Sequence, residues 1–154
     1  MISRGKFDGK HSEITDKIIA AFYQVYNELG YGFSEKIYES ALEILLKEMG
    51  FSVERQKDIY VYYHGQVIGV YTADLIVNGL VLLELKSVSE IIDAHMSQLL
   101  HYLKATEVEV GYVMNFGPEA KFRRGVLDNA RKGSLSWTKP PQKESMKKES
   151  VKSA

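Results

Sequence analysis

At 154 residues, 45% of them hydrophobic, the chain is long enough for one compact domain with its own core and short for two. Twenty basic and twenty acidic side chains cancel, so net charge advertises neither nucleic acid nor membrane, although a local basic patch is compatible with the balance. The absence of cysteine excludes disulfides and thiolate metal sites and leaves any metal to oxygen or imidazole ligands.

The opening MISRGKFDGKHSE lacks the apolar run of a signal peptide, and no segment approaches the roughly 20 apolar residues of a membrane helix. A cytoplasmic, soluble protein without membrane contact is expected. From Glu13 to Leu29, Ile14, Ile18, Phe22, Val25 and Leu29 recur at helical spacing, with Gly30 as a C-terminal stop. A second helix is expected from near Ser34, burying Ile37, Ala41, Leu45 and Met49 and ending at Gly50.

The period then changes to two. DIYVYYHGQVIGVYTADLIVNGLVLLELK is rich in Val, Ile, Tyr and Leu and is broken at His64-Gly65 and Asn78-Gly79, which are hairpin signals, so three antiparallel strands are expected. A third helix should run from about Val88 to Ala105, opened by an S-x-x-E capping box of Ser87 and Glu90. VEVGYVMNF is then a fourth strand, closed at Gly117-Pro118, and Phe122 to Asn129 fits either a short strand or a helix. Residues 1–138 read as one domain, and the Lys- and Ser-rich 139–154 as a disordered tail. The fold class is α+β, with a central mixed sheet of about four strands: a three-stranded antiparallel meander plus one strand after a crossover helix, flanked by helices.

Charges fall where this pattern expects burial. On the strand from Leu80 to Lys86, Val81, Leu83 and Leu85 form an apolar face, whereas the other face runs from Leu80 and Leu82 to Glu84 and Lys86. Asp74 interrupts the apolar row of Ile68, Val70, Thr72 and Ile76 on the preceding strand. A buried carboxylate demands a neighbour, a proton or a cation. Whether Asp74 and Glu84 meet depends on register. A two-residue Asn78-Gly79 turn pairs Asp74 with Leu83 and separates the carboxylates. A three-residue Val77-Asn78-Gly79 loop pairs Asp74 with Leu82 and places Glu84 diagonally, on the order of 7 Å away, a gap that one divalent cation bridges. The second register is the expectation here. The bland alternative is a solvated strand end at Glu84 and Lys86, with a local salt bridge at Asp74.

Asp74 followed by Glu84-Leu85-Lys86 inside a meander resembles the PD-(D/E)XK nuclease superfamily, with Ala73 where the motif's name has proline. GFSEKIY at Gly32 to Tyr38 matches the G-x-x-E-x-x-Y signature of its GxxExxY proteins, and the likeness continues through GVYTADLIV, LLELKSV, QLLHYLKA and VGYVMNFG. The resemblance implies a restriction-endonuclease-like core. It implies that Asp74 and Glu84 hold Mg²⁺ or Mn²⁺, that the Leu85 carbonyl adds a ligand, and that Lys86 positions or polarises the attacking water. It makes Glu35 the helix-borne acid of the site, while Glu39 and Glu43 read as a solvated face. Gln98 and Tyr102 resemble the Q-x-x-x-Y element of RecB-type nucleases, in which the glutamine supports the site.

His95 shares their helix face as a packed or surface residue. Arg55, Lys57, Tyr60, Tyr62 and Tyr63 mix basic and aromatic residues as single-strand binders do, although alternating strand faces with amphipathic tyrosines explain them better. Tyr38, Tyr102, Arg123 and Arg124 are the candidates for nucleic-acid contact. The expected function is metal-dependent hydrolysis of phosphodiester bonds in nucleic acid, DNA first, with self-association compatible. The competing readings are a silent nucleic-acid- or protein-binding module of the same fold, or a subunit of a larger machine.

Overall fold

The computed structural model describes residues 9–141. In chain order they form α1 (Ser12–Leu29), α2 (Glu35–Glu48), β1 (Val53–Tyr63), β2 (Gln66–Val77), β3 (Val81–Lys86), α3 (Asp93–Ala105), β4 (Val110–Phe116) and β5 (Ala120–Val126), then two short 3-10 turns at Asn129–Arg131 and Ser136–Thr138. The sheet order is β1-β2-β3-β4-β5, with β3 and β4 parallel and every other neighbour antiparallel. This is the expected meander and crossover, extended by a fifth strand in the region the sequence left open. The tail from residue 142 onward lies outside the described residues. No helix among them is long and apolar enough to cross a membrane.

The sheet separates two apolar layers. α1 and α2 cover one face through Ile18, Phe22, Tyr38, Leu42 and Leu46, which pack on Leu83, Leu85 and Phe116. α3 covers the other through Leu99, Tyr102 and Leu103, packed on Ala73, Ile76, Leu82 and Val113. β3 and β4 are therefore buried on both sides, as parallel strands beneath a crossover helix must be. Gly111 of β4 admits α3 at close range, because a Cβ there would stand 2.7 Å from the Leu99 side chain.

Three local expectations are corrected. α2 buries Tyr38, Glu39, Leu42 and Leu46, while Ile37 and Met49 are exposed. The stripe sits one residue further along because Tyr38 anchors it: its ring stacks on Phe116 with centroids 4.4 Å apart, and its hydroxyl donates to the Gly30 carbonyl and accepts the Phe33 N–H. The third helix starts at Asp93, and Ser87 is no cap, since its hydroxyl donates to the Phe33 carbonyl. The Asn115 amide holds Val88 outside the helix by bonding both its N–H (3.0 Å) and its carbonyl (2.9 Å).

The third correction is the register of β2 and β3. Val77 pairs with Val81, so the loop is Asn78-Gly79-Leu80. Asn78 (φ 53°) and Gly79 (φ 65°) are both left-handed, and Leu80 N–H closes on the Val77 carbonyl at 3.0 Å, the backbone of a type I′ turn. Leu80, 37% exposed, belongs to the loop. The Asn78 side chain and backbone also bond Ser52, which fixes the turn against the start of β1.

Candidate active site

The pairs Val77–Val81, Ile76–Leu82 and Leu75–Leu83 set a register that, continued by one step, places Asp74 directly across from Glu84. Directly opposed positions share a sheet face and bring Cβ atoms to about 5 Å, closer than the diagonal placement expected from the sequence. The ladder stops there, because the strands part beyond Leu75 and Leu83. The Leu85 N–H bonds Asp74 Oδ2 at 2.7 Å instead of a strand partner.

The other Asp74 oxygen, Oδ1, accepts the Gln56 side-chain amide at 3.3 Å. Gln56 interrupts β1: Arg55 pairs with Leu75 and Lys57 with Ala73, and Gln56 itself lies at φ 50°. A left-handed glutamine costs on the order of 1 kcal/mol and persists where its surroundings hold it. Here the same amide nitrogen also donates to Glu39 Oε1 at 2.7 Å. Glu39 is 3% exposed and paired with Arg55 at 3.2 Å, and Arg55 also reaches Glu43 at 3.3 Å. The reading of Glu39 and Glu43 as a solvated face is thus corrected. The spacing held the signal, since Glu39 lies three and seven residues before Leu42 and Leu46 on the stripe that turns inward.

Glu84 is 5% exposed, and its Oε1 has no hydrogen-bond partner. Burial, then the nearby Asp74 carboxylate, push its pKa up to about 10, with Lys86 opposing. Glu84 therefore holds a proton near neutral pH despite Lys86. The donor set of the two carboxylates also suits a hard divalent ion, which takes oxygen ligands and is commonly held by one or two carboxylates with the rest of its shell water. The unpartnered Glu84 oxygen is the coordinate such an ion would fill. No group of three or more metal-ligating side chains occurs among the described residues, so Glu35 is not gathered into the pair.

A sequence profile of the PD-(D/E)XK nuclease superfamily matches residues 12–126, three quarters of the chain and all of its sheet. The chain belongs to the PD-(D/E)XK nuclease superfamily. Members of this superfamily are usually nucleases that use divalent metals, and nucleic acid is their substrate class. A solved structure titled "Crystal structure of SSO0001" is similar at TM-score 0.49 and 20% identity over 82% of this chain. The chain spans 63% of that structure's length. Among the curated proteins none matches.

The remaining candidates of this superfamily member fall into separate places. Lys86 is half-buried at the end of β3 and close enough to Glu84 to act on its charge. Gln98 is exposed on α3 and donates to the Tyr102 hydroxyl at 3.1 Å. Tyr102 is 8% exposed, and its pKa is raised by burial, then by the charges of Glu84 and Asp74. Glu35 is exposed in the first turn of α2. Two nucleic-acid candidates are corrected. Tyr38 is fully buried with its hydroxyl committed to the α1–α2 loop, so it has no surface to offer. Arg124 lies over the Tyr112 ring and donates to the Tyr112 hydroxyl and the Lys10 carbonyl, a structural strut. Arg123 is half-exposed, 3.6 Å from Asp93. His95 accepts the Ile92 N–H and so caps α3. Gln56 had no signal in the sequence beyond its polarity, because its role depends on a break in β1.

Proposed function

We propose that this chain is a divalent-cation-dependent phosphodiesterase acting on nucleic acid, DNA first, and that within its superfamily it is one of the GxxExxY proteins. The observation that carries the reading is the Asp74–Glu84 pair, opposed at the point where β2 and β3 separate, with one buried oxygen lacking a protein partner. Asp74 and Glu84 hold Mg²⁺ or Mn²⁺, with the Leu85 carbonyl beside them. A divalent cation supplies positive charge and water activation at such a site.

The chain's own groups do the rest. Gln56 and the Leu85 N–H fix both Asp74 oxygens, so the carboxylate is oriented before any ligand arrives. Lys86 adds positive charge where the scissile phosphate gains negative charge and orients the attacking water. Gln98, through the Tyr102 hydroxyl, supports the α3 wall. The GxxExxY assignment is supported by Gly32 at φ 127°, a conformation side chains rarely adopt, and by the Tyr38 hydroxyl that bonds either side of that loop.

The test is calorimetric titration of Mn²⁺ into wild type, Asp74→Asn and Lys86→Met, with cleavage of labelled single- and double-stranded DNA and RNA followed in parallel. Wild type is expected to bind and cut. Asp74→Asn should lose both, and Lys86→Met should bind metal without cutting. A wild type that binds no metal with nucleic acid present, or cutting that survives Asp74→Asn, would sink the proposal.

A further inference from the structure

A concavity lies between the β1–β2 hairpin, the C-terminal half of α3 and the 3-10 turn at Ser136–Thr138. It has a volume of about 420 Å³, within the range of roughly 300–1,000 Å³ typical of ligand sites. Its walls are aromatic: Tyr62, Tyr63, Tyr71 and Trp137, with His101 and Lys104 among them and no carboxylate in the lining. The ladder slips between Val61 and Tyr62, where Ile68 of β2 is the extra, unpaired residue, and Val61, Tyr62, Tyr63 and Ile68 all line the concavity.

The rings are held and also available. Trp137 donates its indole N–H to the Lys104 carbonyl at 2.9 Å, while Lys104 Nζ sits 4.5 Å over the ring. Tyr63 is 63% exposed and Tyr71 36% exposed. The groove lies on the carboxylate side of the sheet, since Tyr71 precedes Asp74 on β2 and its ring lies 5.0 Å from that of Tyr102 on α3. Aromatic faces interleaved with basic groups, without acidic ones, are the chemistry that takes unpaired nucleobases on a polyanionic backbone.

We infer that this groove binds unpaired bases of the substrate strand beside the scissile phosphate, so that the chain acts on single-stranded nucleic acid or single-stranded flaps. The inference rests on the nuclease reading for its purpose, and its test is separate from catalysis. Trp137 is the only tryptophan in the chain and reports directly from the groove wall. Full-length protein in EDTA is titrated with oligothymidylate and oligouridylate of about eight nucleotides, and with a duplex of the same length, following tryptophan fluorescence.

A saturable change is expected with single strands, at least about tenfold tighter than with the duplex, and the two sugars show whether DNA or RNA is preferred. Tyr63→Ala combined with Tyr71→Ala should weaken single-strand binding by about tenfold or more. The Tyr→Phe changes at both positions keep the rings and should keep the affinity, and Ile44→Ala, an exposed site on α2, should leave it unaltered. Equal affinity for duplex, no response to single strands, or an undiminished Ala double variant that melts normally would overturn the inference. So would self-association of the full chain that Tyr63→Ala abolishes, which would assign the groove to a second copy. Single-strand binding in EDTA without any Mn²⁺-dependent cutting would instead remove the nuclease reading and leave the groove standing.

Discussion

The proton on Glu84 gives the carboxylate pair a pH signature that needs no substrate to measure. Burial and the facing Asp74 raise the Glu84 pKa from the ordinary 4.5 to about 10, so near pH 7 the metal-free chain holds a proton there. Loading a cation requires that proton to leave, and the gap of about three log units at pH 7 weakens binding by on the order of 4 kcal/mol. The apparent Mn²⁺ affinity should therefore rise about tenfold per pH unit between roughly pH 6 and 9, with close to one proton released per ion. Calorimetry in buffers of differing ionisation enthalpy measures both quantities. Stability of the metal-free protein runs the other way. Between about 4.5 and about 10 the folded chain keeps a proton that the unfolded chain has released, so stability falls as pH rises through that window. Glu84→Gln removes the ionisation, and it should flatten this fall, raise the metal-free melting temperature at about pH 8 and abolish Mn²⁺ binding. A flat affinity across this range with no proton release refutes the reasoning, as does a Glu84→Gln protein that melts lower than wild type at the same pH.

Three further outcomes are expected. Gln56→Ala strips a donor from both Asp74 and Glu39, and should lower Mn²⁺ affinity or cleavage by roughly 10- to 100-fold in calorimetry and single-turnover assays, whereas Gln56→Asn recovers part of the loss; equal effects of both would deny the amide its role. Tyr38→Phe leaves the Phe33 N–H and the Gly30 carbonyl short of a partner and should cost about 1–3 kcal/mol in urea unfolding while altering oligonucleotide affinity less than about twofold; a large affinity loss in a stable protein would restore Tyr38 to the binding surface. Gly111→Ala drives a methyl to within 2.9 Å of the Leu82 carbonyl as well as against Leu99, and should destabilise by about 1–3 kcal/mol, read as a lower denaturant midpoint; an unchanged midpoint would mean that α3 sits further from the sheet than described.

The order of elements was legible because each carries its own period. The apolar series through α1, the alternation of β1 and β2, and the charged but periodic α3 place the meander and crossover with little help from tertiary context. β5 was ambiguous because AKFRRGV is an edge strand, and edge strands carry charges that blur the alternation. The β2–β3 register was misread because Leu80 looks like the strand it precedes; only the left-handed Asn78 and Gly79, tied to Ser52, make it part of the turn. In α2 two apolar stripes compete, one through Ile37 and Ala41 and one through Tyr38 and Leu42, and sequence spacing does not reveal which one meets the sheet. Asp74 and Glu84 stood out as charges in apolar strands, which is a local property. Glu39 and Gln56 did not, because their importance arises from the left-handed backbone at Gln56, whose amide links Glu39 of α2 to Asp74 of β2.

The bond from the Leu85 N–H to Asp74 gives position 74 two employments. One is chemical and the other is architectural, since the carboxylate satisfies a backbone donor that the parting strands would otherwise leave buried and alone. A descendant of this chain that abandoned catalysis would still be selected for an acceptor there. Asparagine could serve it and alanine could not. Among related sequences, an Asp or Asn at this place therefore reports on the integrity of the sheet, and it is the residue at position 84, with no such second duty, whose replacement would mark the loss of an enzyme.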